Sequence, residues 1–288
     1  MQLLAIISGK GGTGKTSLAA SFMALAPLAV GADCDVDAAN LSLLLSPREE
    51  EVEDFVAGKK PAVDLARCQR CGRCQEVCRW QAIKTGEVNL IRCEGCGVCS
   101  HVCPQEAISM QDEISGQWFV SATEYGPLVH ARLRPGAGNS GKLVTVVRKR
   151  AQELALSSAS QWVIIDGPPG NGCPVMATLS GVKAALVVTE PSQSGLHDLG
   201  RVLDLCHQLQ VRPYVCINRH DLSSHFTEII LAWCHQQDVT TLGKIPYDTR
   251  LFDSVVAGNV PVLTSDSPGA LAIIELWGQL EDRLTKEG

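Results

Sequence analysis

The 288-residue chain has no apolar run approaching the length of a transmembrane helix. It also has no basic amino-terminal stretch, since apolar residues begin almost at Met1. No secretory leader is therefore expected, and the chain reads as cytoplasmic. An excess of positive charge is missing too. With 25 Lys and Arg against 31 Asp and Glu, the formal net charge is −6, which argues against general binding to nucleic acid or anionic membranes. Cysteine, by contrast, is plentiful at 13 residues. That number would mean disulfides in a small secreted protein, but this chain is neither. Eight of the cysteines are crowded between Cys68 and Cys103, which points to metal ligation.

The length suits one large α/β domain or one with a small insertion. Its organising stretch is Gly9-Lys10-Gly11-Gly12-Thr13-Gly14-Lys15-Thr16-Ser17, which fits the phosphate-loop pattern G-x-x-x-x-G-K-[ST]. The apolar run Leu3–Ile7 before it reads as a buried strand, and Ser17–Ala26 has helical spacing. In that setting, N–H groups freed by glycine and a helix amino terminus face an incoming triphosphate. Lys15 is expected on the β- and γ-phosphates, and the Thr16 hydroxyl on Mg²⁺.

Further strands are expected at Leu28–Val30, Trp162–Asp166, Ala184–Val188 and Tyr214–Arg219. The fold class is α/β, a doubly wound, mostly parallel sheet of the phosphate-loop type, whose ligands gather at the carboxyl ends of strands. Asp33, Asp35 and Asp37 follow one such strand and Asp166 another. Carboxylates this close repel unless a cation or phosphate-bound water lies among them. Glu49–Asp54 reads as a solvated acidic face, and Gly58–Pro61 as a linker. His130, alone among apolar neighbours, reads as a core histidine, and Cys173 as a buried structural thiol. Ala270–Leu284 is amphipathic, with Leu271, Ile274, Trp277 and Leu284 on one side. Its polar face is acidic rather than basic, so packing on the sheet is expected rather than membrane targeting.

Cys68, Cys71, Cys74 and Cys78 follow C-x2-C-x2-C-x3-C. Cys93, Cys96, Cys99 and Cys103 repeat the pattern at a constant offset, with Ala82-Ile83 recurring as Ala107-Ile108. This is an internal duplication. The spacing resembles that of bacterial ferredoxins. The resemblance implies one [4Fe–4S] cluster on Cys68, Cys71, Cys74 and Cys103, and a second on Cys93, Cys96, Cys99 and Cys78. A zinc reading leaves half the thiolates unused. Pro104 keeps the proline that usually follows the fourth cysteine, whereas Arg79 replaces it in the first copy.

The second lysine of the loop, Lys10, makes the chain similar to the MinD, ParA, Mrp and nitrogenase-iron-protein superfamily. Overall it resembles MinD/Mrp-like ATPases that carry an inserted two-cluster ferredoxin domain. The implied layout is an ATPase domain over 1–60 and 116–288, interrupted by a ferredoxin domain over 61–115. The resemblance further implies that Lys10 reaches across a nucleotide-sandwich dimer to the partner's phosphates. Asp33, Asp35 and Asn40 match the first switch, with Asp35 orienting the attacking water and Asp37 its rival. Asp166-Gly167-Pro168-Pro169-Gly170 matches the second switch, in which Asp166 holds Mg²⁺ through water. Asn218, Pro246 and Asp248 match positions beside the adenine.

The implied activity is a slow ATPase, activated by dimerisation or a partner, that couples nucleotide state to electron transfer or to metal-cofactor handling. A cluster carrier of the Mrp type is the alternative. A positioning ATPase like MinD or ParA ranks third, because the carboxy-terminal helix is acidic. Expected partners are a second copy or a related ATPase, together with a redox protein or an apo-metalloprotein acceptor. No nucleic acid is expected.

Overall fold

Strand β1 (Gln2–Ser8) is apolar along its length because it is covered on both faces: Leu4 to Ile7 are completely buried. The computed structural model describes every residue except Asn139, Ser265, Glu287 and Gly288. The expected end of the last segment, Gly288, thus lies outside the described residues. After β1 come α1 (Lys15–Leu25), β2 (Ala29–Asp33), α2 (Leu41–Leu45), β3 (Arg48–Val63), α3 (Arg73–Glu76), β4 (Ile83–Lys84), β5 (Glu87–Val88), α4 (Val98–His101), β6 (Ile108–Thr123) and β7 (Gly126–Leu133). The second half runs α5 (Ser140–Ser157), β8 (Trp162–Pro169), α6 (Cys173–Leu179), β9 (Ala184–Thr189), α7 (Gln193–Gln208), β10 (Arg212–Asn218), α8 (Ser224–Gln236), β11 (Thr240–Ile245), α9 (Thr249–Val256), α10 (Pro261–Thr264) and α11 (Pro268–Lys286).

One nine-stranded sheet has the order β11-β10-β9-β1-β8-β2-β7-β6-β3. Every pairing from β11 across to β7 is parallel. Only Glu124 and Tyr125 join β6 to β7, a connection short enough to require an antiparallel pair. From β1 the chain travels one way to β2, and later the other way through β9, β10 and β11. That makes the carboxyl end of β1 the topological switch point, where a crevice opens.

Leu4 and Ile6 share a core with Phe22 and Met23 of α1 and with Ile273, Trp277 and Leu280 of α11. The Trp277 ring lies 5.1 Å from Phe22 and 4.9 Å from Trp162, tilted to one and edge-on to the other, as ring quadrupoles prefer. The inward row of α11 is Ala270, Ile273, Leu276, Trp277, Leu280 and Leu284. This corrects the expected face, because Leu271 is 57% and Ile274 41% exposed. The winning row is the one that meets Gly243 of β11. Leu276 Cδ1 comes within 2.9 Å of where a Cβ would stand on that glycine, so the missing side chain makes its room.

The chain divides into two compact units. The first takes Met1–Val52, Trp118–Arg132 and Ser140–Gly288, and the second takes Glu53–Gln117 with Leu133–Asn139. The expected insert was 61–115. The expected linker Gly58–Pro61 and the acidic run before it instead belong to the 16-residue strand β3. Phe55 and Ala57 are buried while Asp54, Val56 and Gly58 are exposed. That is a strand's period of two, masked in the sequence by the flanking charge.

In the second unit the sequence duplication is repeated bond for bond. Cys68 N donates to Asp64 O as Cys93 N does to Asn89 O, and Gln81 N to Cys78 O as Glu106 N to Cys103 O. The short helices α3 and α4 each start after a left-handed glycine, Gly72 at φ +82° and Gly97 at φ +76°, a conformation that glycine adopts without strain. Ile83 pairs with Val88 and Lys84 with Glu87 in a two-residue antiparallel ladder.

Trp277→Ala should cost about 3–5 kcal/mol, the range for removing a buried aromatic. Leu271→Ala, on the outer row, should cost less than about 1 kcal/mol. Urea unfolding midpoints of the two variants check the difference.

Candidate functional site

The loop after β1 is shaped by its glycines. Gly12 and Gly14 hold φ of +77° and +95°, and a Cβ on Gly9 would fall 2.4 Å from Asp198 Cβ. Ser8 Oγ closes the loop from within by donating to Lys10 O at 2.6 Å. Gly14 caps α1 with no side-chain bond, so the first N–H groups of the helix remain free for an anion. They open on a cleft of about 620 Å³ lined by Gly11, Gly12, Gly14, Lys15, Thr16 and Ser17. Of the other expected residues, Asp35, Asn40, Asn218, Pro246 and Asp248 also line it. Gly9, Lys10, Thr13 and Asp166 are not part of its lining.

Asp33 and Asp166 lie opposite each other in the register of β2 and β8, both fully buried. Asp33 is committed to the backbone: Oδ1 accepts from Asp35 N at 3.2 Å and Oδ2 from Leu41 N at 3.0 Å. It therefore clamps both ends of the loop that carries Asp35. Neither oxygen of Asp166 has a hydrogen bond of good geometry. Burial raises the Asp166 carboxyl to about 7, although the nearby Thr16 hydroxyl and Lys15 ammonium pull against it. Burial likewise raises Asp33, reinforced by Asp166, and Asp35, opposed by Lys15. The Lys15 ammonium is pushed down by burial and held up in part by Asp166 and Asp35. A buried carboxylate with two unpartnered oxygens beside a hydroxyl is a donor set that suits a hard cation such as Mg²⁺.

Lys10 is paired within its own chain. Its Nζ lies 2.8 Å from Glu190 Oε2, while Glu190 Oε1 receives Arg219 at 2.6 Å. Asn218 Nδ2 donates to Thr13 O at 2.8 Å and its Oδ1 accepts from Arg219 N at 2.9 Å, which ties β10 to the phosphate loop. One amide hydrogen and one lone pair remain for a ligand. Asp248 caps α9 by accepting from Arg250 N and also accepts from Gly269 N, both at 3.0 Å. Burial works against its charge, but the Ser267 hydroxyl and these N–H groups hold its carboxyl below the usual range. Asp248 thus fixes the Pro246–Asp248 loop through bonds to protein. Sequence reasoning assigned no role to Glu190 or Arg219. Their only signal was a place at the carboxyl ends of β9 and β10.

Two minor expectations divide. His130 is buried, accepts or donates at Ser121 Oγ over 2.9 Å, and stacks on Phe119. Burial lowers it to about 4, as befits a core imidazole. Cys173 is exposed at the start of α6, which corrects the expected buried thiol. It follows the turn Gly170–Gly172, and no apolar element covers it there.

The eight clustered cysteines separate into two sets. Cys68, Cys71, Cys74 and Cys103 line one small cavity, and Cys78, Cys93, Cys96 and Cys99 line another. Backbone N–H groups point at sulfur in both: Ala82 N to Cys78 Sγ at 3.2 Å, with Ala107 N to Cys103 and Gly95 N to Cys93 both at 3.4 Å. Such bonds stabilise thiolates that hold a cluster. Among the described residues, no three His, Cys, Asp or Glu side chains are grouped to hold a single metal ion.

Residues 4–262 match the CobQ/CobB/MinD/ParA nucleotide binding domain family. The chain belongs to this family. It is 30% identical over 284 residues to the uncharacterized protein MJ0578 of Methanocaldococcus jannaschii, covering 97% of this chain and 96% of that one. An iron-sulfur cluster carrier protein of Pyrococcus horikoshii is 30% identical over 159 residues, about half of each chain (50% and 53%). Among solved structures, the septum site-determining protein MinD of Pyrococcus horikoshii, complexed with Mg-ADP, superposes with a TM-score of 0.61. Its 20% identity, over 100% of this chain and 98% of that one, speaks for the fold alone. Among the described residues, no helix is long and apolar enough to cross a membrane.

The Asp166 carboxyl, raised to about 7, is neutral in the ligand-free fold below that pH and charged above it. A raised carboxylate favours folding at low pH and loses that advantage as pH rises through the folded value. The melting temperature of the ligand-free chain, measured relative to Asp166→Asn, should therefore fall from about pH 4 to about pH 7 and level off above it. Mg²⁺ with nucleotide should offset that fall in the wild type only. A flat difference between the two proteins would show that Asp166 is already ionised and compensated.

Proposed function

We propose that the chain binds and hydrolyses ATP with Mg²⁺, and that it couples nucleotide state to electron transfer or metal-cofactor handling at two [4Fe–4S] clusters in an inserted ferredoxin domain. The observation that carries this reading is the sorting of eight cysteines into two four-cysteine cavities, Cys68/71/74/103 and Cys78/93/96/99. These are the sets that a crossed ferredoxin pattern requires. They occur on a chain whose other unit holds a phosphate loop.

In the nucleotide cleft, the free N–H groups of Gly11 to Thr16 and the ammonium of Lys15 bind and orient the β- and γ-phosphates. Mg²⁺ supplies charge neutralisation during phosphoryl transfer. Thr16 would hold it directly and Asp166 through water. Asp35 stands in the cleft wall as the group that orients the attacking water, held there by its N–H bond to Asp33. Asn218 and the Pro246–Asp248 loop form the base-side wall. Clusters supply one-electron redox chemistry, and the eight thiolates with their N–H donors would retain them.

Lys10 acts across a dimer in this reading, so it must first leave Glu190. Lys10→Ala should keep ATP binding but lose hydrolysis and ATP-induced dimerisation, whereas Lys15→Ala should lose binding as well. Glu190→Gln removes the charge that holds Lys10 and should bring on ATP-dependent dimerisation at lower protein concentration. Sedimentation velocity with and without MgATP reads all three. Unchanged hydrolysis by a monomeric Lys10→Ala protein would rule out a role in trans.

The competing reading is a cluster carrier, favoured by the similarity to proteins named iron-sulfur cluster carriers. Anaerobic protein should hold about eight irons in either case, two cubanes by ligand count. Coupling requires nucleotide to favour one state of the clusters over another, and linkage makes the effect reciprocal. MgATP and MgADP should then give different cluster potentials or reduction rates, a tenfold change in affinity matching about 59 mV for one electron. Asp166→Asn should abolish the difference and keep the iron. Identical potentials and rates, with iron passing to an apo-acceptor, would transfer the assignment to the carrier.

A further inference from the structure

The two cysteine cavities of the second unit have rims of opposite character. From Arg67 to Arg79 the first repeat carries four arginines against the single Glu76. All four arginines are exposed, and Arg70 and Arg73 line the cavity of Cys68, Cys71, Cys74 and Cys103. Arg70, Arg73 and Arg79 form no ion pair with the described residues, and Arg67 reaches Glu106 only at 4.0 Å. The matching span of the second repeat, Arg92 to Pro104, has one arginine and one glutamate. The cavity of Cys78, Cys93, Cys96 and Cys99 is rimmed by Val77, Trp80 and Val98, exposed by 41, 48 and 44%, and by Glu94.

A solvated charge run would explain one exposed arginine in passing. It does not explain why two arginines, costly to one another, line one cavity while a glutamate lines its duplicate, on a chain of net charge −6. Exposed guanidinium groups with no partner attract a complementary surface and speed its encounter. Their position next to the sulfurs means that whatever they attract is brought up to that cluster.

We propose that the arginine rim of Arg70 and Arg73, flanked by Arg67, is the docking surface for a small acidic one-electron carrier protein. The cluster of Cys68, Cys71, Cys74 and Cys103 is then the port through which the chain exchanges electrons. This rests on the cluster reading above. In the forward direction the carrier loses one electron and is oxidised, and a [4Fe–4S]²⁺ cluster gains it and becomes [4Fe–4S]⁺. No proton or bond changes hands. The apolar rim of the second cavity offers no such steering.

The test is anaerobic stopped-flow reduction of the intact iron-loaded chain by a photoreduced acidic plant-type [2Fe–2S] ferredoxin, with neutral 5-deazariboflavin radical as the control reductant. The wild-type rate with the ferredoxin should fall as salt rises. Arg70→Glu/Arg73→Glu should be slower by roughly tenfold or more at low salt, the lower end of electrostatic steering. The gap should close at high salt, where exposed charges are screened. Arg70→Lys/Arg73→Lys should restore most of the rate, and iron content and the deazariboflavin rate should match in all three proteins. A gap that persists at high salt would mean that the arginines only tune the cluster's potential, and would overturn docking. So would salt-independent ferredoxin rates, or arginine-dependent binding of duplex DNA, read by fluorescence anisotropy, with ferredoxin rates unaffected. An iron-free wild-type chain from anaerobic cells overturns the cluster reading itself. Iron present with flat rates overturns docking alone.

Discussion

Two carboxylates buried side by side at the carboxyl edge of a parallel sheet set the terms for the first unit. Such a pair is unfavourable by itself, since both desolvation and mutual repulsion oppose its charge. The fold divides the burden. Asp33 is spent on the backbone, where its bonds to Asp35 N and Leu41 N fix the start and end of one loop. Neither oxygen of Asp166 has a hydrogen bond of good geometry, and its charge is favoured only by the nearby Lys15 ammonium and Thr16 hydroxyl. The arrangement makes the loop bearing Asp35 and the buried carboxyl of Asp166 parts of one electrostatic problem.

The second unit is governed by a different constraint, the covalent spacing of thiols. Three cysteines of each repeat line one cavity, with Cys74 and Cys99 on the short helices that begin at left-handed glycines, and the crossing of Cys78 and Cys103 between repeats completes each set. Because each set includes a cysteine from the other repeat, neither half-unit has a complete site by itself. Duplication in the sequence and interdependence in the fold are thus the same fact.

Contiguous features were legible in the sequence. The phosphate loop could be read because its glycines and lysine are neighbours and act mainly through the backbone, and the cysteine pattern because its spacing is regular. The strands of the sheet interior were visible as continuous apolar runs. What could not be read depends on residues that meet only after folding. Glu190 and Arg219 come from the ends of two strands, and nothing in either local sequence announces that they converge on Lys10. Strand β3 was hidden because its outward positions are acidic and lysine-rich, so its alternation shows only once Phe55 and Ala57 are seen to be buried. The face of α11 was misplaced by one row because a glycine on a distant strand, Gly243, decided which leucine could approach. Cys173 misled for a similar reason: a thiol's burial depends on what packs over it.

Glu190 serves two cations, and this has a consequence for how easily Lys10 can be spared. A carboxylate that loses its sole counter-ion in a mostly buried position is left with an uncompensated charge. Glu190, only 16% exposed, has Arg219 at 2.6 Å in addition to Lys10 at 2.8 Å, so it would not be left alone were Lys10 to leave. The guanidinium acts as a standing reserve, and the lysine can be lent elsewhere without stranding the acid it leaves behind.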